Sequence, residues 1–396
     1  MSLSRRDFLL RGGMLVAAGA FGGPALALAQ AQTEQRLFVV VLRGALDGLA
    51  AVVPYGDRSY GDARGALVLP DPARIRLDSF YAMNAALASL AALYHQKQLL
   101  VLHATATPYR SRSHFDGQDI LDSGAVEAHA STTGWLNRAL VALRGGQGIA
   151  IGPSVPLLLQ GPGDVTSWSP SVLPAATPDL LAQVVQLYEA DPLLSRAIRD
   201  AEMLRSEDPG SRSAASSRGG ARGPQAFAAM MRRAGELLGD DRSGLRLGAI
   251  ELGGWDTHVA QGLDRGRLAN AMQQLSSGIE AFEQALGAAW QQTAVLVVTE
   301  FGRTVKGNGT GGSDHGTATV AFLMGGKVAG GRVIGDWPGL ASHQLYQERD
   351  LRPVNDLRAL QKGVLVEHLG LVEGALGDAI FPGSAGVPAL RGLMQA

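Results

Sequence analysis

The sequence predicts an α/β protein, a three-layer α/β/α sandwich around a mainly parallel sheet, and three observations lead there. Continuous apolar runs recur at Leu37–Leu42, Leu99–His103, Gly248–Leu252, Ala294–Thr299 and Val320–Met324. Each is bounded by Gly, Pro or a polar cluster, as strands buried on both faces are. Segments with a helical period lie between them, and strands alternating with helices build parallel sheets covered on both sides. The composition is 46% hydrophobic and only 6% aromatic, with 52 glycines, which suits an aliphatic core with tight loops rather than a coiled coil or a disordered chain.

The helical patterns cover Asn84–Tyr94, Trp135–Leu143, Leu180–Tyr188, Pro192–Arg205, Phe227–Leu238, Leu268–Trp290 and Leu357–Leu369. In the longest, Leu268, Met272, Leu275, Ile279, Phe282 and Leu286 recur at three- and four-residue spacing, the stripe one buried face requires. Residues 206–225 are dense in Ser, Gly, Arg and Pro without an apolar period and read as a surface loop. Apolar runs of the same kind flank that loop, so residues 30–396 are expected to form one domain.

The first 29 residues read as an export signal rather than as part of the fold. Ser4-Arg5-Arg6-Asp7-Phe8 places paired arginines before an apolar residue, the order of a twin-arginine signal. Met14–Leu28 is an uncharged stretch rich in Ala and Gly, and Ala27-Leu28-Ala29 supplies small residues for cleavage before Gln30. The stretch is too short and weakly apolar for a membrane span. The expected partner is the twin-arginine translocase, and the expected location is the periplasm or outside the cell, with no stable span after cleavage. Removing three arginines and one aspartate with this segment takes the formal charge from −1 to −3.

Cysteine is absent, which excludes disulfides, thiolate metal sites, iron–sulfur clusters and covalent haem. No stretch interleaves clustered Lys/Arg with aromatic residues, so nucleic acid is not an expected partner. Any metal must sit on oxygen and nitrogen ligands.

In open α/β sheets ligands bind beyond the carboxyl ends of the strands, so polar residues just past the apolar runs are the candidates. Arg43-Gly44-Ala45-Leu46-Asp47-Gly48 offers Asp47 as a metal ligand, or else an Asp-Gly turn that satisfies its own backbone. Tyr109–Asp119 follows the second run and leads into a helical pattern. There Ser113 or His114 would lie near a helix N-terminus, which favours an anion or an activated nucleophile. Arg110 and Arg112 could fork onto phosphate or sulfate oxygens, the alternative being a serine cap with solvent-facing arginines. Asp256 and His258 are two apart in Gly253–His258, and mixed carboxylate and imidazole ligation suits zinc, manganese or iron. Glu300 closes the fourth run, and Asp314-His315 sits in a glycine-rich loop directly before the fifth.

Together Asp47, Asp256, His258, Glu300, Asp314 and His315 would gather on one rim of one sheet. His95, His129, His343 and His368 have no such company and read as surface or packing residues. Neither a Walker-type phosphate loop nor a Gly-x-Ser-x-Gly elbow after a strand is present.

The strings LRGALDGL, PYRSRSHFDGQD, STTGWLNRAL, ELGGWDTH, VVTEFGRT, GGSDHGTA and GDWPGL, in this order, resemble the bacterial family called domain of unknown function 1501. That family is grouped with the alkaline-phosphatase-like superfamily, so the resemblance implies an alkaline-phosphatase-like fold. It also implies one or two divalent ions on Asp and His ligands, with zinc, manganese, magnesium and calcium as candidates. Asp47 resembles the first-strand metal carboxylate, Ser113 the nucleophile position, Asp256 with His258 the mid-chain pair, and His315 the late histidine. Glu300-Phe301 stands where the superfamily usually carries Asp-His, so one imidazole is missing and Asp314 is a candidate replacement.

The activity implied is metal-dependent hydrolysis of a phosphate or sulfate ester, borne by a small molecule or a glycan. Arg303 or Arg112 would neutralise developing charge. The alternative is a non-catalytic cell-envelope binding protein on the same fold.

Overall fold

In this computed structural model the described residues are 33–143, 146–170, 183–187, 191, 194–195, 198 and 224–395. The export segment 1–29, the stretch 206–223, residues 180–182 and 188 of the Leu180–Tyr188 pattern and most of the Pro192–Arg205 pattern lie outside them, and residues 183–187 are helical. Pro224 and Gln225, placed in the surface loop by composition, instead open a helix, a position where proline is tolerated.

The large sheet takes its strands in chain order as β1 (Arg36–Leu42), β2 (Leu99–Ala106), β3 (Gln147–Ile151), β4 (Val165–Trp168), β5 (Leu245–Leu252), β6 (Thr293–Thr299), β7 (Thr319–Gly325), β8 (Arg332–Ile334) and β9 (Asn355–Asp356). Its spatial order is β8-β2-β7-β6-β1-β5-β3-β4, with β9 also paired to β2. Every pairing is parallel except those of β7, which runs antiparallel to both β2 and β6. That single reversal matters for the site. It brings the N-terminal end of β7, and the residues just before it, to the rim where β1, β5 and β6 end.

Side chains of β1 alternate between two cores, as strand geometry dictates. Phe38, Val40 and Leu42 join one cluster, while Leu37, Val39 and Val41 join the other. The first is closed by α-helices at Ala88–His95, Pro224–Gly239 and Arg267–Leu286, the second by helices at Trp135–Ala142 and Leu357–Glu367. Helices on both faces of one sheet make the three-layer sandwich. The six stripe residues of the Arg267–Leu286 helix are all buried.

The strands that apolar runs did not mark are short or lie toward an edge. β3 reads Gln-Gly-Ile-Ala-Ile, with small residues where neighbours approach, and β4 is only partly buried. A separate small sheet of Val52–Val53, Arg74–Arg76 and Ala82–Asn84 occupies the start of what the periodicity marked as a helix at Asn84. The Asn84 side chain accepts a hydrogen bond from the Ala86 N–H (2.9 Å) and so turns strand into helix.

Candidate metal centre

Four loops and one helix start converge at the rim. The turn after β5 is pinned by Trp255, fully buried, whose indole N–H donates to the Leu252 carbonyl (2.9 Å). This holds Asp256, Thr257 and His258 at the strand end. The loop after β1 approaches so closely that a Cβ on Gly44 would lie 2.6 Å from the Asp256 nitrogen, and Gly44 has φ +119°, so glycine is required there twice over. Segment Phe301–Thr304 pairs with the segment before β7, Gly302 N–H donating to Thr317 and Thr304 N–H to Asp314 (2.8 Å each). His114 opens the helix His114–Ser123.

These elements aim three imidazoles at one carboxylate oxygen. Asp256 Oδ1 lies 2.9 Å from His258 Nε2, 3.1 Å from His315 Nε2 and 3.5 Å from His114 Nε2. His258 Nε2 and His315 Nε2 are 2.9 Å apart. Ligand atoms of His114, Asp256 and His315 all lie within 4.8 Å of one another.

The opposite ring nitrogens fix the tautomers. His114 Nδ1 faces Glu300 Oε1 (2.9 Å), His258 Nδ1 faces Asp314 Oδ1 (3.1 Å) and His315 Nδ1 faces the Arg112 carbonyl (2.9 Å). A carbonyl and two carboxylates only accept, so each Nδ1 donates and each neutral ring presents a lone pair on Nε2. His114 Nε2 is buried with no hydrogen-bond partner. Three lone pairs and an anionic oxygen facing one another repel unless a cation lies among them. A tetrahedral zinc site needs donor atoms about 3.3 Å apart for bonds near 2.0 Å; the three spacings to Asp256 Oδ1 and the His258–His315 spacing, 2.9–3.5 Å, bracket that value. The donor set therefore fits a divalent ion with nitrogen and oxygen ligands, and an acceptor behind each imidazole is the usual support of such a ligand.

Charge around the cluster is tightly managed. Arg303, buried at the base, donates from Nη1 to Asp256 Oδ1 (2.6 Å) and also to the Ser313 hydroxyl and carbonyl. Burial raises the Asp256 pKa, but the Arg303 bond and charge outweigh it and bring it down to about 2. Burial likewise opposes ionisation of Glu300, yet bonds from His114, Gln118 and the Gly44 N–H hold its pKa below the usual value. Asp314 is lowered chiefly by the Asn308 amide, with His258 adding to it. The His114 pKa is raised mainly by its bond to Glu300. The His315 pKa is lowered by burial first.

The structure thus gathers His114, His258 and His315 around Asp256, and in His114, Asp256 and His315 the ligand atoms all lie within 4.8 Å of one another. Glu300 and Asp314 stand one layer behind, holding imidazoles. It does not bring Asp47 there. Its carboxylate is buried on Arg64 and Gln261 (2.7 Å each) and caps the Gly48–Ala51 helix through Ala50 N–H (3.1 Å).

Ser113 occupies the N-cap of the His114–Ser123 helix without making a side-chain cap bond, so the backbone does not consume its hydroxyl. Arg112, in the left-handed region at φ 61°, spends its guanidinium on Asp350 Oδ2 (2.7 and 2.8 Å) and Gln347 (2.6 Å). It reaches the cluster through its carbonyl. Gln118, Asn308, Gln261, Arg64 and Asp350 were not marked from sequence. Only Gln118 carries a local signal, one helical turn after His114 on the same face.

A cleft of about 570 Å³ adjoins the centre, with Asp314, Asn308, Thr304 and Arg349 in its wall. Asn308 donates to the His258 carbonyl and Arg349 to the His315 carbonyl (2.9 Å each), so the cleft shares its wall with the loops that hold the imidazoles. Among the described residues no helix is long and apolar enough to cross a membrane.

Fold and site together define a three-layer α/β protein with a three-histidine, one-aspartate cluster at the carboxyl rim of its sheet. The chain belongs to the family described as a protein of unknown function (DUF1501), which matches residues 96–380. No functionally curated protein matches the sequence.

Similar solved structures include a protein in the alkaline phosphatase superfamily from Vibrio parahaemolyticus, at 12% identity over 98% of this chain and 80% of that chain, TM-score 0.46. The PsFucS1 sulfatase from Pseudoalteromonas sp. matches at 11% over 100% and 78%, TM-score 0.40. The C-terminal periplasmic domain of EcEptC from Escherichia coli, in complex with Zn, matches at 12% over 74% and 73%, TM-score 0.36.

Proposed function

We propose that this protein is an exported, metal-dependent hydrolase of phosphate or sulfate esters, with the ion held by His114, Asp256, His258 and His315. One observation carries the reading: three imidazoles whose Nδ1 atoms are all committed to acceptors turn their Nε2 atoms to a single carboxylate oxygen. A divalent ion held there would supply Lewis acidity to an ester oxygen.

The chain's own groups do the rest. Glu300, Asp314 and the Arg112 carbonyl hold the rings in one tautomer, and Arg303 holds Asp256 ionised. Ser113, at the start of the helix that carries His114, is the nucleophile in this reading, its hydroxyl free of capping duty and set where backbone N–H groups favour an anion. Arg112 and Arg303 act as positioning residues, because their guanidinium groups are bound to protein acceptors. The adjoining cleft offers room for the body of a small ester or a sugar unit. The twin-arginine pattern at Arg5-Arg6 supports action outside the cytoplasm.

The test is hydrolysis of 4-nitrophenyl phosphate, bis(4-nitrophenyl) phosphate and 4-nitrophenyl sulfate by the purified protein with zinc, manganese, magnesium or calcium. Turnover that chelation abolishes and that Asp256→Ala and His315→Ala lack supports the reading. Tight metal binding without turnover on any ester would make this a non-catalytic binding protein. Ser113→Ala separates a serine nucleophile from a water nucleophile.

A further inference from the structure

Besides the exposed Asp256 at the metal centre, the loops after the first and sixth strands of the large sheet each carry a buried carboxylate, Asp47 and Glu300. We infer that Arg64 stands beside Asp47 as a fixed cation where a second ion would otherwise sit, so that the centre holds one metal ion per chain. This rests on the metal-centre reading above and narrows it.

The hydrogen-bond inventory separates the two places. Asp47 Oδ1 accepts from Ala50 N–H, and Oδ2 accepts from both Arg64 Nη2 and Gln261 Nε2 (2.7 Å each). Glu300 Oε1 accepts from Gly44 N–H, His114 and Gln118, and its Oε2 lies 2.9 Å from the Thr299 hydroxyl, whose one proton also faces the Leu42 carbonyl at 2.7 Å. Both Asp47 oxygens have protein donors, whereas at the three-histidine cluster His114 Nε2 has no hydrogen-bond partner. Buried polar atoms are paired as a rule; of the unpaired ones, His114 Nε2 can offer a lone pair to an ion, whereas Arg64 Nε is a donor and cannot hold a cation.

Arg64 cannot leave this duty. Its side chain is 0% exposed, and Nη1 donates to the carbonyls of Val305 (2.9 Å) and Thr304 (3.4 Å). A guanidinium keeps its charge at any working pH, so Asp47 is already neutralised inside the protein; Asp256 also has an arginine, Arg303, but its side chain is 44% exposed and three imidazole nitrogens face it. From Asp47 a buried polar chain then runs to the metal centre. Gln261 Oε1 accepts from Ser313 Oγ (2.6 Å) and Thr257 Oγ1 (3.0 Å), and Arg303 Nε donates to Ser313 Oγ (3.2 Å). Along it each acidic group already has its arginine, Asp47 with Arg64 and Asp256 with Arg303.

The experiment counts metal. Full-length mature protein is stripped with chelator, reloaded with zinc, and weighed by native mass spectrometry beside elemental analysis. One zinc per folded chain is expected. Two per chain overturns the inference while leaving the metal centre standing, and none overturns both. As a second variant, the paired change Asp47→Asn with Arg64→Gln removes both charges and leaves a polar side chain at each position. It is expected to retain one zinc per chain. Loss of that zinc from a variant still folded by circular dichroism would make Asp47 part of the ion's site and overturn the inference. If the variant does not fold, the parent stoichiometry alone decides.

Discussion

His258 Nε2 and His315 Nε2 lie 2.9 Å apart while their Nδ1 atoms are committed to Asp314 and to the Arg112 carbonyl. Two lone pairs at that distance, with Asp256 Oδ1 beside both, repel, and a metal ion among them removes the repulsion. Metal should therefore stabilise the fold. A free ion at one hundred times its dissociation constant adds about 2.7 kcal/mol by mass action. Thermal unfolding followed with and without zinc, and after chelation, is expected to show a metal-dependent rise that His315→Ala lacks.

Glu300 does not touch the point where the Nε2 atoms converge, yet it orients His114 from behind. Removing such an outer acceptor typically weakens metal affinity about 10- to 100-fold. Glu300→Ala, which leaves no acceptor behind His114 Nδ1, is expected to fall in that range by calorimetric titration, with His114→Ala at least as severe. An unchanged affinity in Glu300→Ala would mean that His114 is not a ligand.

Asp350 and Arg112 form the clamp that places a backbone carbonyl on His315. Asp350 is fully buried, and it keeps Arg112 in a left-handed conformation that a side chain rarely adopts. Asp350→Asn is expected to cost about 1–3 kcal/mol of stability, because a charge-assisted bond to a buried partner is lost. It is also expected to lower metal affinity. Arg112→Gly keeps the backbone geometry without strain and is expected to hold the metal better than Arg112→Ala. Equal behaviour of the two would show that the carbonyl does not matter.

Asp122 shares Arg43 with Glu251, its Oδ2 lying 2.5 Å from the guanidinium. Burial pushes its pKa up to about 6, beyond what Arg43 recovers. Because the folded value lies above the unfolded one, folding takes up a proton between about pH 4 and 6. The associated stability is present at low pH and is lost as pH rises through about 6. Asp122→Asn mimics the protonated group at every pH. Its melting temperature relative to the parent is expected to improve from pH 4 to pH 7, and a constant difference would contradict the shift.

Much of this architecture is legible in the residues. Strands such as Leu37–Leu42 and Ala294–Thr299 must bury both faces, which forces unbroken apolar runs, and the rule that ligands gather past their carboxyl ends picks out Asp256, His258 and His315. β7 is different. It reads like any other buried run, and nothing local shows that it is reversed, although the reversal carries Asp314 and His315 to the rim. Asp47 shows the other limit. A carboxylate after a buried strand looks the same whether it meets an ion or Arg64, seventeen residues on, and only the fold decides. The supporting shell of Gln261, Asn308 and Asp350 is chosen by contacts far apart in sequence, so it leaves no motif.

X-ray absorption at the zinc edge of the reloaded protein tests the central claim most directly. The account predicts a first shell of nitrogen and oxygen at about 2.0 Å, with the outer-shell scattering of three imidazoles that falls to two in His258→Ala. A shell of oxygen alone, or imidazole scattering unchanged in that variant, would contradict it.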